Sequence, residues 1–509
     1  MLTRLKISGF KNLKDVDVRF GPFTCIAGPN AAGKSNLFDA IRFLSLLAQK
    51  TLMEAALSVR NETARNTDVR TLFHHEGGVI ADRMTFEAEM IVPQQADDDL
   101  GQHARATANY LRYTLALRYR EPEDGLSSPR GPLEIEREEL VHIRSGRAAQ
   151  RLLFPHTPRW RNSALSIRHR TPPFISTSVE DGRRIIKLHQ DGGSSGRALS
   201  NPATQPRTVL SVARASESPT VLCAKREMES WMLLQLEPAA LREPDPINAP
   251  FHLAADGAHL PATLFRLANS RTDDGTAASR SPDPDAIYCR VANRLKNLID
   301  DVESVFVDRD DKRELLTLHV TGKDGTAYPA RSLSDGTLRF LALVVLEMDP
   351  RNRGLICLEE PENGIHPERI PAMLSLLQDI STDPEEAVDH TNPLSQVLIN
   401  THSPAVVLEA PDDSLLMIES RAEIRNRVTL RNTRFTHLSE TWRSRATPQE
   451  TPTAKGKLLA YLNPVPGQDS HLDPYYARVG RATLAAGRVK RARVVDRVDL
   501  QMRIPHVAE

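Results

Sequence analysis

The spacing of apolar residues places most of the elements. Leu2–Ile7, Asp15–Phe20 and Phe23–Ala27 read as three short strands. The third is apolar almost throughout, as a strand covered on both faces must be, and runs straight into a Gly-rich turn. From Lys34 to about Leu47 the period lengthens to that of a helix, with Leu37, Ile41 and Leu44 on one face. Met84–Val92 alternates cleanly, Met84, Phe86, Ala88, Met90 and Val92 facing one way and Thr85, Glu87 and Glu89 the other. Leu111–Tyr119 repeats that pattern and Leu133–Leu140 does so more weakly, so all three are expected as half-buried antiparallel strands.

Polar stretches separate these runs: Gln94–Ala108, Glu121–Pro132, and a long segment from Pro155 to Pro206 rich in Arg, Ser, Pro and Gly. They are expected to be loops or mobile insertions. Helical period returns at Lys225–Leu236, Pro261–Ala268 and Ala286–Ile299, followed by strands at Val302–Val307 and Leu315–Val320. The chain then becomes strongly α/β, with helix Gly336–Met348, strand Leu355–Leu358, helix Ile370–Gln378 and strand Val397–Asn400. No sustained heptad run announces a coiled-coil arm, and no internal repeat is visible.

Composition narrows the class. Hydrophobic residues make up 40% of the 509 and charged residues 26%, enough for a sizeable core. The formal net charge is zero, which argues against a globally basic nucleic-acid binder but leaves a local patch open. Cys25, Cys223, Cys289 and Cys357 are widely spaced and form no CxxC pair, so neither a disulfide framework nor a structural metal is expected. There is no secretory pattern at the start and no run of about 18 apolar residues, so a soluble cytoplasmic protein without membrane association is expected.

Four short motifs carry chemistry. Gly28-Pro29-Asn30-Ala31-Ala32-Gly33-Lys34-Ser35-Asn36 sits between a strand and a helix and matches G-x-x-x-x-G-K-S. Its glycines let backbone amides turn inward around phosphate oxygens, and the helix N-terminus adds its positive end. Lys34 reaches the phosphates and the Ser35 hydroxyl ligates Mg²⁺. Leu355–Leu358 is an apolar strand ending in Glu359, which would hold the metal, and Glu360, which would polarise an attacking water. Ser334-Asp335-Gly336 opens an apolar helix and offers a second anion-binding turn, although by itself it reads as an ordinary helix cap. Finally, Asn400-Thr401-His402-Ser403-Pro404 puts a histidine at a strand's carboxyl end, where parallel sheets bind ligands.

In this order the motifs resemble the ABC-type ATPases of the SMC, RecF and OLD (overcoming lysogenisation defect) superfamily. Ile7-Ser-Gly-Phe10-Lys-Asn-Leu13 also resembles that group's first strand. The resemblance covers about residues 1–50 and 325–420 and implies an α/β fold: a P-loop NTPase head with a mixed sheet, an antiparallel β subdomain, and a helical insertion between Walker A and signature. On that basis residues 1–93 form an N-terminal ATPase lobe and 94–300 an insertion. Residues 301–420 form the C-terminal ATPase lobe, and 421–509 a basic tail that could dock a partner. The resemblance further implies ATP and Mg²⁺ as cofactors, with ATP hydrolysed between two heads. Ser334 and Gly336 would cap the γ-phosphate of the opposite protomer, Asn363–His366 would cross the dimer interface, and His402 would contact the γ-phosphate. Two departures stand out. Glu359 replaces the usual aspartate, and the glutamine that contacts Mg²⁺ has no clear position, Gln94 and Gln95 being the candidates.

Nuclease members of the group carry a TOPRIM domain after the Thr-His-Ser-Pro histidine. Here Leu415–Glu419 starts such a pattern, but no Asp-x-Asp pair follows. Instead Arg478, Arg481, Arg488, Lys490, Arg491, Arg493, Arg497 and Arg503 face only Asp496 and Asp499, a tail suited to an acidic partner or DNA phosphates. The reading that follows is an ATP-driven regulatory subunit, similar to the stand-alone heads of bacterial antiphage defence systems of the Septu type. It would act as a homodimer or higher homo-oligomer on a separate nuclease subunit. A RecF-like DNA-binding repair ATPase and an OLD-like nuclease are the alternatives.

Overall fold

The computed structural model describes residues 1–30, 32–59, 68–76, 78–121, 131–144, 148, 150–166, 172–191, 196–198, 205–270, 284–351, 353–425, 428–446, 452–462 and 493–497. A six-stranded sheet lies at its centre, in the order Met232–Leu234, Gly354–Glu359, Ser395–Thr401, Phe23–Ala27, Leu415–Arg425, Val428–His437. The first five strands are parallel and the last is antiparallel. Parallel strands covered on both faces need apolar residues at successive positions. Leu355 and Cys357 accordingly enter one core while Ile356 and Leu358 enter the other.

On one side, the Lys34–Leu47 helix fills the space between this sheet and an eight-stranded antiparallel sheet that contains Leu2–Phe10, Arg83–Ile91, Tyr110–Tyr119 and Leu133–His142. Phe43 on the helix stacks 5.9 Å from Phe10 and lies 5.9 Å from Phe86, which meets Phe10 edge-on at 5.5 Å. Each such ring pair adds about 0.5–1.5 kcal/mol beyond area burial. The predicted inward set Met84, Phe86, Ala88, Met90 and Val92 is wholly buried. On the other side, helices Asp335–Met348 and Ile370–Ile380 share a core with the central sheet, and Leu260–Asn269 packs on a smaller sheet that contains Val302–Asp310 and Leu315–Gly322. The result is a mixed α/β P-loop NTPase head with an antiparallel β subdomain and helices inserted between the P-loop and the signature turn.

Three expectations need correction. The Gln94–Ala108 stretch is not all loop: Gln95–Asp97 pairs with His103–Arg105 in a short two-stranded hairpin, too brief to show alternation. The Pro155–Pro206 stretch is not all loop: it holds helix Pro158–Ala164 and a hairpin, Ile175–Glu180 with Arg183–His189, that extends the eight-stranded sheet. Ile175 and Ile186 are fully buried there, while most neighbouring positions remain partly open. Such an edge hairpin carries little alternation to detect. Nor is Lys225–Leu236 one helix. The helix runs Pro219–Glu229, and the chain then turns into the short strand Met232–Leu234, paired with Ile356–Leu358.

The hairpin Leu415–Arg425/Val428–His437 crosses position 421 as part of the central sheet. Among the described residues no helix is long and apolar enough to cross a membrane.

Candidate functional site

Parallel sheets bind ligands beyond the carboxyl ends of their strands, and the register brings four such ends together. Leu234 pairs with Leu358, Glu359 with Asn400, and Thr401 with Ala27. The loops that follow open onto one cleft of about 720 Å³, whose walls include Asn30, Gly33, Lys34, Ser35, Asn36, Gln235, Glu359, Glu360, Asn363 and Asn400.

The Gly28–Ser35 loop is built on its glycines. Gly33 has φ 103°, and a Cβ there would sit 2.2 Å from the Asn12 side-chain nitrogen. A side chain at this position would therefore be strained by backbone and by neighbour alike. The helix after it has no acidic residue in its first turn, so no carboxylate of its own offsets the positive end of its dipole. Lys34 Nζ donates to the carbonyls of Gly28 at 2.6 Å and Pro29 at 3.0 Å. Burial pushes its ammonium down, while Glu360, Glu362 and Glu359 pull the other way; the net shift is downward. Asn36 Nδ2 donates to Asn12 Oδ1 at 2.7 Å, tying the loop to the turn after the first strand. Pro29 and Asn30 are exposed and Ala32 is buried; Ala31 lies outside the described residues.

Glu360 is the most constrained side chain in the cleft. Its φ is 47°, a left-handed conformation that costs a non-glycine residue free energy and persists only where surroundings impose it. The surroundings are visible: its amide donates to the Asn400 carbonyl at 2.9 Å, and its own carbonyl accepts from Asn363 N at 3.1 Å. The carboxylate is held at both ends, by His402 Nδ1 at 2.8 Å and by Asn363 Nδ2 at 2.9 Å. Burial pushes the Glu360 carboxyl up, but the hydrogen bonds from Asn363 and His402 and the charges of His402 and Lys34 outweigh it, holding it below the usual carboxylate range. Asn400 Nδ2 fixes Glu359 Oε1 at 3.2 Å. Behind them, burial raises the Glu362 carboxyl against the hydrogen bond from Thr401 Oγ1.

The structure thus gathers Lys34, Ser35, Glu359 and Glu360 around one cleft, with His402 bonded to Glu360. It does not bring Ser334, Asp335 or Gly336 there. Ser334 and Asp335 are exposed at the start of the Asp335–Met348 helix, where Ser334 Oγ accepts from Thr337 N at 3.2 Å. Asp335 is paired with Arg242. Gly336 packs on the loop after Glu360: a Cβ on it would lie 2.1 Å from the Gly364 carbonyl oxygen. Because backbone cannot yield as a side chain tip can, Gly336→Ala is expected to destabilise the fold by about 1–3 kcal/mol. The urea midpoint should fall at unchanged slope, and an unmoved midpoint would refute the close packing.

Sequence reasoning missed Gln235. It follows the Met232–Leu234 strand directly and lines the cleft. Neither Gln94, which donates to the Ser163 carbonyl, nor Gln95, in a two-stranded hairpin, lines it. Arg339 was missed as well; from the signature helix it donates to the carbonyls of Leu236 at 3.1 Å and Asn363 at 2.7 Å, joining two walls of the cleft.

The donor set suits a hard divalent cation. Ser35, Gln235, Glu359, Glu360 and Asn400 offer oxygen atoms, and no histidine or cysteine lines the cleft. Among the described residues no group of three or more His, Cys, Asp or Glu side chains could hold a metal. A Mg²⁺ ion here would be held jointly with phosphate oxygens, as that ion usually is.

A family model described as "AAA domain, putative AbiEii toxin, Type IV TA system" matches residues 143–409, just over half of the 509. A second, described as "AAA domain", matches residues 4–86. The chain is 49% identical over 41 residues to an OLD nuclease of Thermus scotoductus, a stretch that is 8% of each protein. It is 35% identical over 63 residues to the DNA replication and repair protein RecF of Phocaeicola vulgatus, 12% of this chain and 17% of that one. The chain therefore spans less than a fifth of the length of these curated relatives. Among solved structures, the Smc head bound to the C-winged helix domain of ScpA is 12% identical with a TM-score of 0.42, covering 86% of this chain and 99% of that one. The SMC head domain from Thermotoga maritima is 11% identical at a TM-score of 0.34, with the same coverage.

Proposed function

The chain belongs to the family described as AAA domain, putative AbiEii toxin, Type IV TA system, and from that premise we propose that it binds and hydrolyses ATP between two copies of itself as the regulatory subunit of a defence system. The observation that carries the ATPase reading is the Glu360 carboxylate, held ionised between His402 and Asn363 on the same cleft as Lys34 and Ser35. A carboxylate so placed can orient and polarise a water, and phosphoryl transfer asks a protein chiefly for positioning and charge stabilisation.

In this reading Lys34 and backbone amides of the loop before it hold the phosphates, and Glu360 activates the water. His402 keeps Glu360 in place and, lying behind that carboxylate, would reach the γ-phosphate only once nucleotide closes the cleft. Ser35 and Glu359 hold Mg²⁺, with Gln235 as a further oxygen ligand or water contact. The ion neutralises charge on the phosphates when bound. Ser334 and Gly336 lie outside their own chain's cleft, which supports their use in trans, against nucleotide on a second copy. Gln235→Ala is expected to raise the Mg²⁺ concentration for half-maximal phosphate release by roughly tenfold, the lower end of what losing a supporting ligand costs. An unchanged Mg²⁺ dependence would remove Gln235 from the metal site.

The effector reading rests on two points. The family model's description names a putative toxin of a type IV TA system and mentions no nuclease, so the support it lends is to a defence-type setting alone. The Leu415–Arg425 strand, where a TOPRIM pattern would begin, is instead a strand of the ATPase sheet, and its Glu419 pairs with Lys457 at 2.6 Å. A separate nuclease subunit is the proposed partner, with DNA as a further ligand. The test is to incubate the purified chain with ATP, Mg²⁺ and duplex DNA and to follow phosphate and DNA together. Phosphate release with intact DNA is the expected outcome. Cleavage by the chain alone would make it an OLD-like nuclease. ATP-dependent duplex binding that falls steeply with salt would mark a RecF-like repair ATPase.

A further inference from the structure

His402 lies in the short link between the Ser395–Thr401 strand and the helix Pro404–Glu409, so that helix anchors one side of it. Two pieces of the C-terminal region close on the helix. Residues 493–497 lie against its end: Pro411 and Arg493 form an isolated bridge, and Val494 N donates to the Ala410 carbonyl at 3.1 Å. The Val494 side chain is fully buried. Asp496 grips the Arg493 guanidinium through Nε at 3.0 Å and Nη2 at 3.1 Å, aiming Nη1 at Glu409 Oε2, 2.7 Å away. Glu409 is the last residue of the helix, where a cation is also favoured by the dipole. The second piece is the Lys455–Leu462 helix, which packs on the same helix and buries Leu458. The Tyr461 hydroxyl of that helix is buried beside the Gly28 amide without a full hydrogen bond.

We infer that Arg493 and Val494 are positioning residues for hydrolysis: the C-terminal region clamps the Pro404–Glu409 helix and thereby sets where His402 holds Glu360. None of these residues lines the cleft, so the clamp acts on the geometry of the water-activating pair and leaves the phosphate loop's side chains alone. Release of the clamp slows turnover with nucleotide still bound. A partner that draws the 493–497 segment away would thus regulate the ATPase from outside its site.

The inference rests on the ATPase reading, and the experiment separates the two. Steady-state phosphate release is measured for the full chain, for Val494→Asp, which places a charge in a buried position, and for Arg493→Ala, Glu409→Ala and their double variant. Absence of Lys34-dependent hydrolysis in the unaltered chain would overturn the ATPase reading itself. Given hydrolysis, Val494→Asp is expected to lower kcat by roughly tenfold, within the range of coupling through packed elements, with KM for ATP within about twofold. Arg493→Ala and Glu409→Ala should each lower kcat by roughly two- to fivefold, and the double variant should match either single, as partners in one contact do. The inference is overturned if kcat is unchanged in the alanine variants, if their effects multiply, or if KM moves in place of kcat. The alanine cycle decides the matter even should Val494→Asp fail to fold.

Discussion

Phosphate release by Glu360→Gln is expected to fall by roughly 10²–10⁴-fold, the usual contribution of a positioned general base, while ATP remains bound. The amide has the shape of the carboxylate but no negative charge to draw a proton from water. The backbone bonds that impose φ 47° at this position come from Asn400 and Asn363 and are untouched by the change. The cleft therefore keeps its form and loses its chemistry. Retention of labelled ATP on the purified variant, read beside phosphate release, separates the two quantities. A fall of less than about tenfold would move the base elsewhere.

Lys34→Ala is expected to fail one step earlier, in binding. Its ammonium is buried at the foot of the phosphate loop, held by the Gly28 and Pro29 carbonyls and drawn by Glu360, Glu362 and Glu359. Each charge-assisted hydrogen bond to a phosphate contributes about 1.5–3 kcal/mol. Loss of one such contact weakens ATP binding by roughly 10- to 150-fold. Equilibrium titration with a fluorescent ATP analogue reads this directly. Unchanged affinity would mean that the loop amides alone carry the phosphates.

Much of this site was legible because its parts are local. Phe23–Ala27 is apolar but for Thr24, the glycines follow it at once, and Leu37, Ile41 and Leu44 then mark a helix, so strand, loop and helix stand in one short segment. Glu360 and His402 were legible as members of an ordered motif series, but their 2.8 Å contact depends on sheet register across 42 positions. What stayed hidden has too little pattern to read. Met232–Leu234 is three residues long and continues an apolar stretch that a helix could equally bury, so Gln235 lost its place at a strand end. The Ile175–His189 hairpin buries only a few side chains on one face of a sheet edge. The 493–497 part of the C-terminal clamp has a single buried apolar side chain, Val494, in a polar segment. Most of the tail arginines, from Arg478 to Arg491 and Arg503, lie outside the described residues; Arg493 and Arg497 do not, and both are engaged by the head itself, Arg497 through Asp412 and Ser439.

In the proposed dimer, one copy's cleft is completed by another copy's Ser334-Asp335-Gly336 turn. Mixing two variants, Lys34→Ala and Ser334→Arg, tests it most directly, with phosphate release as the readout. Each variant alone is expected to release phosphate at background. The mixture should recover activity, because a mixed pair joins an intact phosphate loop to an intact signature turn from the other chain. If Ser334→Arg alone hydrolyses ATP as fast as the unaltered chain, or if the mixture stays at background, the shared site is contradicted and each head must work, or fail, by itself.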